Sequence, residues 1–263
     1  MKELNLHEIQ SCLFELLSYV ANVLEKNNLK YSLAYGSLLG AARHGGFIPW
    51  DDDLDIIMPW DDYNKMLTLP EFNTKCGKYT VHYSKNCELN DEKVYSYPYA
   101  KIENNHTKCF FYKTFDEGGA FLDVFPETPL PLKNTKLYIH YIKYLHDLLA
   151  LTNSKFDNSF MSFAQKSLRP FNPFFRSLLE KEQFRYVGNK YKLLTNVAWG
   201  SDRIREAIPR EWFDDLDSLT FEGKKFKVIK NYDLWLQSVY GNWRKLPPAS
   251  ERVAKHSFKL YTQ

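Results

Sequence analysis

The residues best equipped for chemistry sit in one short run, Trp50-Asp51-Asp52-Asp53-Leu54-Asp55. Asp53 and Asp55, with an aliphatic between them, share one face of a strand because strand side chains alternate with period two; Leu54 and Ile56 turn to the other face. Two carboxylates side by side repel, and each resists ionisation unless a cation sits between them. Oxygen-only ligands suit Mg2+ or Mn2+ rather than zinc. Such an ion neutralises phosphate charge and aligns an attacking oxygen, so the run predicts a metal site for phosphoryl-group transfer. Taken alone, an acid-x-acid pair reads more readily as a solvated turn before a strand, and the context has to decide.

Two features of the context favour the metal. Gly36-Ser37 closes a short strand, where a backbone without Cβ lets N–H groups approach a phosphate. Asp123 stands alone among apolar residues in Phe121-Leu122-Asp123-Val124-Phe125, and an isolated acid is costly to bury without a partner. A metal held by Asp53 and Asp55 is the expected partner. Arg43 either neutralises a phosphate through a bidentate contact or forms a surface salt bridge to Asp51 or Asp52, and the two readings weigh equally. Asp51 and Asp52 are expected to shape the loop rather than bind the ion. Lys101 is a weaker phosphate candidate that reads first as an exposed strand lysine, and His256 reads first as structural. Trp50 and Trp212 read first as core.

Elements that can position these groups follow from periodicity. Leu6, Ile9, Leu13, Leu16, Val20 and Val23 recur at steps of three and four and predict an amphipathic helix ended by Asn27-Asn28. A strand over 31–35, a short helix over 37–44, a strand over 53–58 and a helix from Pro59 to about Leu69 follow. Strands are expected over 79–83, 94–102, 107–111 and 120–125. Helices are expected over 133–151 and 172–195, then a hairpin around Glu222-Gly223-Lys224 and a helix over 233–240 ended by Gly241. One catalytic domain over 1–263 is expected, with a core of about 1–130 and a helical extension plus C-terminal hairpin over about 131–263.

Composition excludes several classes. The 263 residues are 44% hydrophobic and 25% charged, as in an ordinary globular protein. A formal charge of +3 gives no basis for a nucleic-acid partner. Cys12, Cys76, Cys87 and Cys109 show neither a C-x-x-C pair nor zinc spacing and read as reduced thiols. The N-terminus lacks a secretory h-region, and no apolar run approaches the ~20 residues of a membrane span. A cytoplasmic location, or the inner face of the cytoplasmic membrane, is expected. Over 155–192, basic residues alternate with Phe156, Phe160, Phe163, Phe171, Phe174 and Phe175. That pattern suits an anionic bilayer, but reads first as a helical subdomain whose phenylalanines are core.

The run Tyr35-Gly36-Ser37-Leu38-Leu39-Gly40-Ala41-Ala42-Arg43-His44, followed by Gly46-Phe47-Ile48-Pro49-Trp50-Asp51-Asp52-Asp53-Leu54-Asp55-Ile56, closely resembles the LicD family of phosphotransferases. That family includes bacterial phosphocholine transferases and is similar to fukutin and fukutin-related protein. The likeness continues in Leu122-Asp123-Val124-Phe125-Pro126, Pro209-Arg210-Glu211-Trp212-Phe213, Phe221-Glu222-Gly223, Tyr240-Gly241 and Leu246-Pro247-Pro248. The resemblance implies an α+β nucleotidyltransferase core, a polymerase-β-like mixed sheet with surrounding helices and a helical C-terminal part. It implies transfer of a phospho-substituent, phosphocholine or a similar group, from a CDP- or UDP-linked donor such as CDP-choline to a hydroxyl of a glycan that can be lipid-linked. Carried over by position, Gly36 and Ser37 take the donor phosphates, Asp53 and Asp55 hold metal, and Asp123 supplies a third carboxylate. Gly45 and Glu127-Thr128 depart from the family pattern and bear on donor and acceptor identity. Alternatives are a nucleotidyltransferase releasing pyrophosphate and a non-catalytic glycan- or nucleotide-binding relative.

Overall fold

The computed structural model describes residues 1–73, 77–83, 97–114, 117–188, 191–199, 204–254 and 258–262. Its first long helix starts with a reciprocal cap: the Glu8 N–H donates to Asn5 Oδ1, and the Asn5 N–H donates to the Glu8 carboxylate. Helix α1 (Leu6–Lys26) then runs to Asn27, burying Ile9, Leu13, Leu16, Leu17, Val20, Val23 and Leu24 as one stripe. That stripe covers a sheet built on β5 (Ala100–Phe111) and β6 (Glu117–Pro129), which pair antiparallel with a register shift between Asn104 and Cys109.

Beside β6 lies β3 (Asp55–Pro59), in parallel, and β2 (Ser32–Leu33) pairs antiparallel with β3. On the other side β11 (Phe258–Thr262) pairs with β5 and β1 (Lys2–Glu3) with β11. The short strands β4 (Tyr79–His82), β7 (Leu193–Thr195) and β8 (Ile208–Pro209) complete nine among the described residues. One parallel pair among antiparallel ones makes the sheet mixed, with helices around it, as expected. Both strands of that pair are almost wholly buried, as strands covered on both faces must be.

The helices α2 (Tyr35–His44) and α3 (Trp60–Met66) flank β3. Beyond β6 come α4 (Thr135–Asn153), α5 (Ser159–Leu168) and α6 (Asn172–Gln183). The hairpin β9 (Asp217–Phe221) and β10 (Lys224–Val228) turns through Glu222 and Gly223, at φ 48° and 78°. Two successive positive φ values give the tight turn whose twist matches a hairpin. Helix α7 (Tyr232–Tyr240) follows and is capped by Gly241. A main hydrophobic cluster draws on residues from Ile9 to Leu260, and a second joins Leu130, Tyr138, Ile142, Leu145, Leu149, Leu179, Val197 and Ala198.

Several expectations are corrected. The strands over 94–102 and 107–111 are one strand, β5, which begins at Ala100; residues 94–96 lie outside the described set. Residues 193–195 form β7 rather than the end of a helix, because the Leu194 and Thr195 backbone pairs with Pro129 and Thr128 of β6. Helix α2 starts two residues early, so Gly36-Ser37 lies in its first turn. Strand β3 starts at Asp55, leaving Asp53 in the extended segment before it. Phe160, Phe163, Phe171 and Phe174 are exposed, not core. Cys12 and Cys109 are free thiols, while Cys76 and Cys87 lie outside the described residues, as does His256. No helix among the described residues is long and apolar enough to cross a membrane.

Candidate active site

The site forms where β2 hands over to α2. Tyr35 takes φ 44°, a left-handed value strained for a side chain with Cβ, and its ring is held between Phe125 and Trp235. Its hydroxyl donates to Glu206 Oε2 at 3.0 Å, 171 residues away in sequence. The corner turns the chain into α2, whose N-cap Ala34 offers no side-chain cap to the first-turn N–H groups. A Cβ on Gly36 would come within 2.7 Å of Asp51 Oδ2, so the absence of a side chain lets α2 approach the acidic loop. Ser37 is buried, and its Oγ accepts from the Asp55 N–H at 2.8 Å, tying α2 to the start of β3.

One carboxylate oxygen of each of Asp51, Asp52 and Asp53 lies within 4.8 Å of the others, close enough to share an ion. The Gln10 amide holds that loop by donating to the Asp51 carbonyl at 2.9 Å. Asp55 and Asp123 are direct register partners on the parallel strands β3 and β6, both buried. Burial pushes the Asp55 carboxyl well above the usual range, and the charges of Asp53, Asp123 and Asp51 push it further; Lys101 opposes them. The four acids therefore act on one another electrostatically. Such crowding of hard oxygen donors fits a divalent cation, whose charge would offset both the burial and the mutual repulsion of these carboxylates. Asp51 and Asp52, read from sequence as supports, are thus placed as well for an ion as Asp53.

Lys101 is not exposed. It faces Asp123 across the antiparallel β5–β6 register, buried, with Nζ 2.5 Å from Asp123 Oδ1. Its ammonium also lies over the Phe121, Tyr97 and Tyr99 rings, and Tyr99 donates to Asp123 Oδ2 at 3.4 Å. The partner that burial of Asp123 demands is therefore a lysine, and Asp123 does not require a metal on that ground. Arg43 points elsewhere: its guanidinium donates to the Trp243 carbonyl at 2.8 Å, the Lys245 carbonyl at 3.5 Å and His44 Nε2 at 3.0 Å. It ties the end of α2 to the loop after α7.

Three residues take a place near the site that the sequence did not give them, Glu127 having stood out only as a departure from the family pattern. Glu127 and Glu206 are both buried, and burial together with the Glu206 charge raises the Glu127 carboxyl well above its ordinary value. Tyr35 is raised by burial and then by Glu206 and Glu127. Tyr240 is 42% exposed overall, yet its hydroxyl end is desolvated, and that burial followed by the charges of Asp55, Asp51, Glu206 and Asp53 raises the phenol, so the hydroxyl is within electrostatic reach of the acids. Tyr240 carried a signal only as half of the Tyr240-Gly241 pair; nothing local marks Glu206.

Residues 28–148, which include Gly36, the five aspartates of the candidate site (Asp51, Asp52, Asp53, Asp55 and Asp123) and Lys101, match the family model "LicD/FKTN/FKRP, nucleotidyltransferase domain". The chain is 28% identical over 272 residues to the lipopolysaccharide cholinephosphotransferase LicD of Haemophilus influenzae, covering 99% of both chains. An uncharacterized protein of Rickettsia prowazekii is 47% identical over 74 residues, 28% of this chain and 27% of that protein. Human ribitol 5-phosphate transferase FKRP is 57% identical over 42 residues, 16% of this chain and 8% of that protein. The resemblance read from the Gly-Ser and acidic motifs thus holds over residues 28–148, the segment that is similar to the LicD/FKTN/FKRP family.

Proposed function

We propose that this chain is a phosphotransferase that moves phosphocholine, or a similar phospho-alcohol or phospho-sugar, from a CDP- or UDP-linked donor to a hydroxyl of a cell-surface glycan precursor, using Mg2+ or Mn2+. The observation that carries this reading is the meeting of an uncapped helix start, opened by Gly36, with the carboxylates of Asp51, Asp52, Asp53, Asp55 and Asp123. The parallel pair of strands bearing Asp55 and Asp123 suits a polymerase-β-like core. The relatives named as a cholinephosphotransferase and a ribitol 5-phosphate transferase support the same reaction class.

In this reading the first-turn N–H groups of α2 donate to donor phosphate oxygens, where the helix dipole favours negative charge. Asp53 and Asp55, with Asp51 or Asp123, would hold the metal, which when bound supplies Lewis-acid neutralisation of phosphate charge. Ser37 fixes the distance between the phosphate cradle and Asp55 through its hydrogen bond to the Asp55 N–H. Asp123, held in place by Lys101 and Tyr99, either joins the metal shell or takes the proton of the attacking hydroxyl. Attack at the β-phosphorus then releases a nucleoside monophosphate. The reading places the enzyme in the cytoplasm, where a lipid-linked acceptor would bring it to the membrane.

The test is metal-dependent turnover of CDP-choline, CDP-glycerol, CDP-ribitol and UDP-sugars by the purified chain. Nucleoside monophosphate is the expected product, and Asp53→Asn or Asp55→Asn should lower the rate by about a hundredfold or more with melting retained. Pyrophosphate release from a nucleoside triphosphate would show a nucleotidyltransferase instead. Retained turnover in either Asn variant would remove that aspartate from the site, and no turnover across the panel would leave a binding protein.

A further inference from the structure

Helices α5 and α6, with the short 3-10 turn Arg169–Phe171 between them, hold four phenylalanines on the outside. Phe160, Phe163, Phe171 and Phe174 are 76, 71, 54 and 61% exposed, in a chain whose other phenylalanines largely fill the core. The inner faces of the two helices are fixed by polar contacts to a single residue of α4. Gln165 Nε2 donates to the Thr152 carbonyl at 2.9 Å, and Asn172 Nδ2 donates to Thr152 Oγ1 at 2.7 Å. At 100° per residue, Phe160 and Phe163 lie opposite Gln165 on α5. On α6 the buried residues Asn172, Arg176 and Leu179 form the inner face, and Phe174 and Lys181 lie opposite them. Both outer faces thus point away from the same helix. Phe171 and Phe174 both contact Phe175, with ring centroids 6.5 and 5.7 Å apart, while Phe175 packs on the second core cluster.

Exposure of this kind has a cost in water that burial elsewhere in the molecule does not explain. Four rings more than half exposed leave on the order of 500 Å2 of aromatic surface in solvent. The exposed charge of this segment is mainly positive, with Lys155, Lys166, Arg169 and Lys181 against Asp157. A second copy of the chain docking by this same patch would set these cations against themselves. An anionic bilayer complements both features, since rings enter the headgroup boundary while lysines and arginines remain with the phosphates.

The geometry points to the outer face of α5 and α6 as a docking surface for an anionic membrane. It deepens the reading of a lipid-linked acceptor but stands on separate observations. Vesicle binding is measured without donor and donor hydrolysis without vesicles, so either can fail alone.

The experiment is co-sedimentation of the full chain with vesicles of phosphatidylcholine and of equimolar phosphatidylcholine and phosphatidylglycerol. Binding should favour the anionic vesicles and weaken with salt. The pair Phe163→Ser and Phe174→Ser should lower partitioning at least about tenfold, and the pair Lys166→Glu and Lys181→Glu should do the same on anionic vesicles only. All four side chains are exposed, so both variants should melt as the parent does and hydrolyse donor at the parent rate. Absence of wild-type binding to anionic vesicles would overturn the proposal, as would binding unaffected by both variants. So would self-association of the wild type that the serine pair abolishes.

Discussion

Lys101 and Asp123 face each other as a buried ion pair in the middle of the β5–β6 ladder. Their side chains are 7 and 11% exposed, so each charge depends on the other for solvation. Removing one member of a buried pair leaves an unpaired charge, which typically costs about 3–5 kcal/mol. Lys101→Met should therefore lower stability by that order in denaturant melts. Adding Asp123→Asn on that background should recover part of the loss, and purely additive losses would show that the two do not act as a pair. Glu127 gives a second prediction with a definite sign. Burial and the Glu206 charge hold it well above its ordinary value, so the folded chain keeps a proton that the unfolded chain releases. Its contribution is complete below the ordinary glutamate range and is lost as pH rises through the raised folded value. Glu127→Gln has no proton to lose. Across that window its stability should gain on the wild type by about 1.4 kcal/mol per pH unit, and equal pH slopes in melts of the two would refute the assignment.

At the scale of elements, α2 links the acidic loop to the C-terminal part of the chain. Gly36 lets its start approach Asp51, while at its far end Arg43 holds the Trp243 carbonyl and the Glu222 N–H donates to the Gly45 carbonyl. Gly36→Ala sets two effects against each other. Alanine is the better helix former by up to about 1 kcal/mol, yet its Cβ would displace the Asp51 carboxylate. The expected result is a protein that melts within a few degrees of wild type but needs roughly 10–100-fold more metal for half-maximal turnover. Unchanged metal dependence would separate Asp51 from the ion. The elements themselves were legible where periodicity is local: α1, the β9–β10 hairpin and the acid-x-acid approach to β3 all follow from spacing and turn residues. What was not legible is set by distant pairing. Leu193-Leu194-Thr195 continues a helical pattern and becomes a strand only because β6 offers its edge. Lys101 looks like a surface lysine until the register puts it opposite Asp123, and Glu206 joins the site through Tyr35 across 171 residues.

At the scale of the whole molecule, the acids and the core have different extents. Every acid of the candidate metal site, from Asp51 to Asp123, lies within residues 28–148, so a fragment ending at 148 would retain the aspartates, Lys101 and α2. The main core does not end there. Phe221, Phe226, Val228, Trp235, Leu236, Trp243 and Leu260 are buried in the cluster that contains α1 and β3. Phe47 packs edge-on against Phe221 at 4.8 Å, its N–H donates to Glu222, and β11 covers the edge of β5. Full burial of a large apolar side chain contributes about 1.5–3 kcal/mol, so losing several at once exceeds the ~5–15 kcal/mol that holds a domain folded. The fragment 1–148 should show no cooperative thermal transition, no near-UV circular dichroism and no metal-dependent donor hydrolysis. A fragment that melted cooperatively would show that residues 1–148 close their own core. The hairpin and α7 would then be an attachment to the catalytic body and no longer one of its walls.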